Sequence, residues 1–210
     1  MRAMVAVRSA PSVEPSREPL SQEGEQRVVM HGVSWKDYCV VREVLDSPGV
    51  RMAYCQGALE IMSPSEAHED KKTIIARLVE MYAIERDVPL DGKGSTTYRL
   101  QAKERGLEPD ECYFVGPREG RKFPDVAIEV VITSGGLDRL TIYRGLGVRE
   151  VWFWEAGAFH LHALTGDGYV QVARSALVPG LDFELLATFV RQDDQHRAVR
   201  EFRDLLRERA

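Results

Sequence analysis

What the chain has little of narrows its chemistry before any motif is read. It holds only three cysteines, Cys39, Cys55 and Cys112. They are widely spaced and form no CxxC pair, which leaves neither a disulfide framework nor a thiolate metal site. No apolar run approaches the length of a membrane span, and the first residues include no apolar stretch of signal-peptide type. The expectation is a cytoplasmic protein with no membrane partner. Excess positive charge is missing too. The net charge of −5 argues against a basic protein that coats nucleic acid without chemistry. GxGxxG after a strand, GxxxxGK[ST] and HExxH do not occur, and GKGST at 92–96 has neither the spacing nor the following helix of a phosphate loop. His160 and His162 alternate on one strand face without a carboxylate or cysteine pattern beside them, so they read as surface residues.

What is present suits one soluble domain with tails: 210 residues, 44% of them hydrophobic and 29% charged. Residues 1–27 are rich in Pro, Ser, Glu and Gln and read as a flexible tail. The domain then spans 28–190, and a charged helix occupies 191–210. SWKDYCVVREV predicts a short helix capped by Ser34, and RMAYCQGALEIM predicts a hairpin around Gln56-Gly57. From Ser65 to Asp87, Ile74, Ile75, Leu78 and Tyr82 recur at helical spacing, which predicts the longest helix. Strand-like runs follow in STTYRLQA, ECYFV, VAIEVVI, REVWFWE, AFHLHAL and YVQVA. GGLDRLTIYRGLG lies among them and reads as a helix opened and closed by glycine. Such an order predicts an α/β fold, a mixed β-sheet flanked by helices, with an N-terminal helix and hairpin.

One of those strands contains a contradiction. In PDVAIEVVI every residue from Val126 to Ile132 is apolar except Glu129, as expected of a strand covered on both faces. Alternation puts Val126, Ile128, Val130 and Ile132 on one face and Asp125, Ala127, Glu129 and Val131 on the other. Glu129 therefore points into a layer, where a carboxylate must be paired, protonated or bound to a metal. Trp152 and Trp154 share a strand face and read as core or dimer surface before a base-stacking platform.

The segments GALEIMSP, SPSEAHED, EPDECYF, PDVAIEVV with SGG, and DRLTIYRGLGVREVWFW occur here in that order. This ordered set resembles the Uma-two family of endonucleases in the PD-(D/E)xK restriction-endonuclease-like superfamily, over roughly residues 30–190. The resemblance implies two carboxylates on adjacent strands holding one divalent metal, Mg²⁺ or Mn²⁺, with a cation beside them, for hydrolysis of phosphodiester bonds in a nucleic acid such as DNA. Two Pro-Asp pairs compete for the first position, Pro109-Asp110 and Pro124-Asp125. Asp125 lies about 13 Å of extended chain from Glu129, at about 3.3 Å per residue, whereas neighbouring strands are only about 4.8 Å apart. Asp110 with Glu129 is thus the expected metal pair, joined by the backbone carbonyl of Val130, while Asp125 is a supporting or substrate-side carboxylate.

The sequence departs from the superfamily pattern at the cation. Val131 stands where the plain motif has lysine. The resemblance moves the position to the next helix, where counting back from Tyr143 gives Arg139. Arginine holds phosphate but cannot act as a base. His68, in the opening turn of the long helix, is either a site residue or a hydrogen-bonded structural one. Glu60 either faces solvent from its hairpin strand or leans over the site, and Glu129 could instead be buried against Arg139 as a structural ion pair. Beside the nuclease stands a second reading, a catalytically inactive nuclease-fold module that binds nucleic acid or protein as a homodimer.

Overall fold

A computed structural model describes residues 24–47 and 49–209. In chain order the elements are β1 (Gln26–His31), α1 (Trp35–Val44), β2 (Arg51–Cys55), β3 (Ala58–Ser63), α2 (Glu66–Glu85), β4 (Leu90–Gly92), β5 (Tyr98–Leu100), β6 (Arg105–Leu107), β7 (Glu111–Val115), β8 (Val126–Val131), α3 (Arg139–Leu146), β9 (Glu150–Glu155), β10 (Ala158–Thr165), β11 (Gly168–Val172), α4 (Phe183–Val190) and α5 (Gln195–Glu208). The strands form two sheets, ordered β1-β3-β2-β6-β5 and β11-β10-β9-β8-β7-β4. The first is antiparallel throughout. In the second, β8 and β9 run parallel, which requires a crossover, and α3 supplies it.

Local chemistry sets the element ends that matter for the site. Gln56 and Gly57 both have positive φ, 44° and 91°, the turn that closes a two-residue hairpin between β2 and β3. Ser65 caps α2 by accepting a hydrogen bond from the His68 amide at 3.2 Å, which puts His68 in the first helical turn. The start of α3 differs from its expected form. Asp138, not the glycine pair, caps this helix, its carboxylate accepting from the Leu140 amide at 3.0 Å. Gly147 closes the helix at φ 80°, where glycine carries no Cβ penalty.

β8 is buried on both faces, as its composition predicts. Val126, Ile128 and Val130 join Ile74, Ile75 and Leu78 of α2 in the largest core cluster. Ala127, on the other face, packs with Ile142, Tyr143 and Leu146 of α3. Each large apolar side chain fully buried this way stabilises the fold by roughly 1.5–3 kcal/mol. Trp152 and Trp154 belong to the core at 1% and 4% exposure, so these two side chains offer no free dimer surface.

The two boundaries of the expected domain need adjustment. Residues 1–23 of the expected tail lie outside the described residues, but Glu25 and Arg27 are part of the fold: β1 begins at Gln26 and pairs with β3. A compositional boundary misses them because their partners are buried polar groups distant in sequence. At the other end the charged helix is no appendage. α5 places Ala198, Phe202 and Leu206 in the main core cluster. Among the described residues, no helix is long and apolar enough to cross a membrane.

Candidate active site

The site forms where β7 and β8 stop pairing. Their ladder runs Tyr113↔Val126, Cys112↔Ala127 and Glu111↔Ile128. Asp110, one residue beyond, therefore comes level with Glu129 where the strands part. Its Oδ2 takes the hydrogen bond that a longer β7 would have made, accepting from the Val130 amide at 2.8 Å. The amide and carbonyl of a strand residue point to the same side, so the Val130 carbonyl faces this gap as well. Asp110 Oδ1 lies 2.9 Å from His68 Nε2.

Glu129 is 6% exposed. One oxygen accepts from the Tyr143 hydroxyl; the other lies 3.8 Å from Arg139 Nε. Burial pushes its carboxyl above the ordinary carboxylate range, Arg139 pulls it back, and the charge of Asp110 pushes it up again. Burial and the adjacent Glu129 also hold the Tyr143 hydroxyl well above its usual range, so it remains a donor. Glu60 is as buried as the core, at 1% exposure, so it does not face solvent. Its carboxylate accepts from Arg139 Nη2 at 2.6 Å and from the Leu137 amide at 2.7 Å. The Gly135-Gly136 loop wraps closely over it. A Cβ on Gly136 (φ 97°) would collide with the Glu60 carboxylate and the Arg27 guanidinium, so only glycine fits there.

Arg139 thus bridges two carboxylates and is held more closely by Glu60 than by Glu129. His68 is buried between Asp110 and Glu25, with Nδ1 2.6 Å from the Glu25 carboxylate. Burial opposes its charged form, but the hydrogen bonds and charges of Asp110 and Glu25 prevail and raise it to about 9. Asp125 does not join this group. It sits at the opposite end of β8, accepting from the Val115 amide at 2.8 Å and paired with Arg121 and Arg149. The expectation that it supports the site is corrected by that position: its side-chain partners are the last residue of β7, the turn before β8 and the residue before β9. Sequence reasoning passed over Glu25, Arg27 and the role of Tyr143. Tyr143 had a signal, since it is four residues after Arg139 on one helical stripe. Glu25 had none, because its partners His68 and Thr133 are remote in sequence.

A buried acidic pair contributed by two neighbouring strands of a mixed sheet, with a guanidinium brought to it by the following crossover helix, places the molecule among proteins of restriction-endonuclease-like fold. Residues 35–190 match the family described as "Uma2: Putative restriction endonuclease", and the chain belongs to that family. No curated protein matches it.

Proposed function

We propose that the protein is a metal-dependent endonuclease that hydrolyses phosphodiester bonds in DNA, using Asp110, Glu129 and the Val130 carbonyl to hold Mg²⁺ or Mn²⁺. The observation that carries this reading is the break in the β7–β8 ladder, which brings two buried carboxylates and the main-chain edge of Val130 to one point. The donors fit such an ion. They are hard oxygens, and Mg²⁺ commonly binds one or two carboxylates and keeps several waters. Among the described residues no group of three or more His, Cys, Asp or Glu is arranged to hold a metal. A cation there would also offset the two effects that raise the Glu129 carboxyl, burial first and the charge of Asp110 second.

A bound divalent ion supplies Lewis acidity toward the phosphate and lowers the pKa of water. The chain's own groups do the positioning. Tyr143 fixes one Glu129 oxygen, and His68 and the Val130 amide fix Asp110, each by a hydrogen bond to a different oxygen. Arg139 adds permanent positive charge where negative charge builds on the phosphate, without exchanging a proton. The second reading, an inactive module, is favoured by one observation: Arg139 is already tied to Glu60 at 2.6 Å. Calorimetric titration of Mg²⁺ and Mn²⁺ into wild type and Glu129→Gln, with plasmid nicking measured in parallel, separates the two. Metal binding and nicking that vanish together in the variant support the nuclease; absence of both in wild type leaves the binding module.

A further inference from the structure

The carboxylate of Glu25 occupies a cradle suited to an anion. Its side chain is fully shielded from solvent, and donors from three parts of the chain converge on it. His68 Nδ1 lies at 2.6 Å, the Thr133 amide at 3.3 Å and the Arg27 guanidinium at 3.6 Å, while the Thr133 hydroxyl also donates to it. The other nitrogen of His68 faces Asp110. Ionised carboxylates only accept, so the ring presents an N–H to each. An amide, a hydroxyl, an imidazolium and one nearby guanidinium nitrogen around two oxygens is a donor set that also matches phosphate. Glu25 precedes Gln26, the first paired residue of β1. It can therefore swing away without breaking a bond of the sheet, and it lies outside the residues that match the family.

We propose that this cradle is a phosphate-binding subsite, and that Glu25 is an internal stand-in for a backbone phosphate of the nucleic acid, displaced when substrate binds. The proposal deepens the nuclease reading and rests on it for the identity of the substrate. One imidazole ring separates the cradle from Asp110, so the phosphate held here is a neighbour of the reacting one. The adjoining cavity, lined by Arg27, His68, Glu129, Thr133 and Arg139, measures only about 50 Å³. That is far below the roughly 300 Å³ at which small-molecule pockets begin, so the cavity as it stands does not admit a nucleotide. An internal competitor weakens apparent affinity by the fraction of time the cradle is open.

Inorganic phosphate is the probe, titrated into the full chain without divalent metal and followed by calorimetry and by the amide resonance of Thr133. Glu25→Ala and Glu25→Gln should each bind at least about tenfold more tightly than wild type, and adding Thr133→Val should remove the gain. Equal affinity in all proteins overturns the proposal, as does a gain indifferent to Thr133. If both Glu25 variants unfold and phosphate does not restore them, Glu25 is a structural anchor and the proposal is likewise overturned. Neither metal nor cleavage enters the measurement. Tighter phosphate binding without any nicking would therefore keep the subsite while retiring the nuclease.

Discussion

The two Pro-Asp pairs look alike in sequence and meet opposite circumstances at the two ends of one strand. Asp125, before β8, is settled: a backbone amide and two arginines neutralise it, and it ties the preceding turn to β9. Asp110 lies by the other end of β8, beside a second buried carboxylate, with a histidine it shares with Glu25. One end resembles ordinary structural electrostatics, in which each charge has its counter-charge. The other concentrates Glu25, Glu60, Asp110 and Glu129 around Arg27, Arg139 and His68, an arrangement stable only if the positions of all of them are enforced by the fold. Crowded like charges in a cleft are the mark of a functional site more than of a stabilising one.

The largest expected effect tests that contrast through activity. Glu129→Gln and Asp110→Asn should lower metal-dependent nicking by about 10² or more, the size seen when an electrostatic contribution to a transition state is removed, while the proteins stay folded. Asp125→Asn should leave nicking within a few-fold of wild type. Loss of activity in Asp125→Asn at unchanged stability would break the comparison.

Next in size is Arg139→Ala. Removing it leaves Glu60 and Glu129 buried without their shared cation, and destabilisation of about 3–5 kcal/mol is expected from urea unfolding. Arg139→Lys should recover a large part of that loss by restoring charge, though not the forked geometry. If Arg139→Ala instead melts like wild type, the ion-pair network has been misread.

His68 sharpens the comparison through pH. Its folded value, about 9, lies above the ordinary 6.5, so the folded state holds the proton more tightly. Its contribution is fully present below pH 6.5 and is lost as pH rises through about 9. At about 1.36 kcal/mol per unit, this amounts to something on the order of 3 kcal/mol. Glu129, also raised, acts with the same sign at lower pH. Thermal melts of the metal-free protein should fall between pH 6.5 and 9, and His68→Gln should flatten that slope. A wild-type melt that is level across the window would contradict the doubly hydrogen-bonded imidazolium.

The smallest effect belongs to Glu150, a buried glutamate with nothing left to satisfy. It accepts from the Trp152 indole at 2.9 Å and from the Ala176 and Leu177 amides at 2.8 and 3.2 Å. Glu150→Gln should cost about 1–3 kcal/mol, since an acceptor of backbone donors is weakened, with no change in metal affinity by calorimetry. A change there would show that Glu150 and Glu129 are coupled.

Much of the fold was legible because periodicity reports burial. The hairpin at Gln56-Gly57, the long helix from Ser65 and the β8 run stand where their patterns put them. β1, β4 and β6 escaped notice. The last two are three residues long, too short for alternation to register, and β1 is so exposed that its residues carry no burial pattern. In the site, the family resemblance called for two carboxylates and strand spacing favoured Asp110 over Asp125 beside Glu129, whereas neither gave the setting of Glu60. Alternation says which face a side chain takes but not what lies over that face, and over Glu60 lie Arg139 and the Gly135-Gly136 loop.

The sequence by itself determined the α/β class, the two-faced burial of β8 and the conflict posed by Glu129, because these depend on near neighbours and on the fixed geometry of strands and helices. Only the tertiary structure decided which charges meet. The Glu25–His68–Asp110 chain joins residues 43 and 42 positions apart, and the Arg139–Glu60 pair spans 79. No local pattern encodes such encounters. They arise when hydrophobic burial closes two sheets and a helix around one point, leaving the polar side chains there with one another and a few main-chain amides as partners.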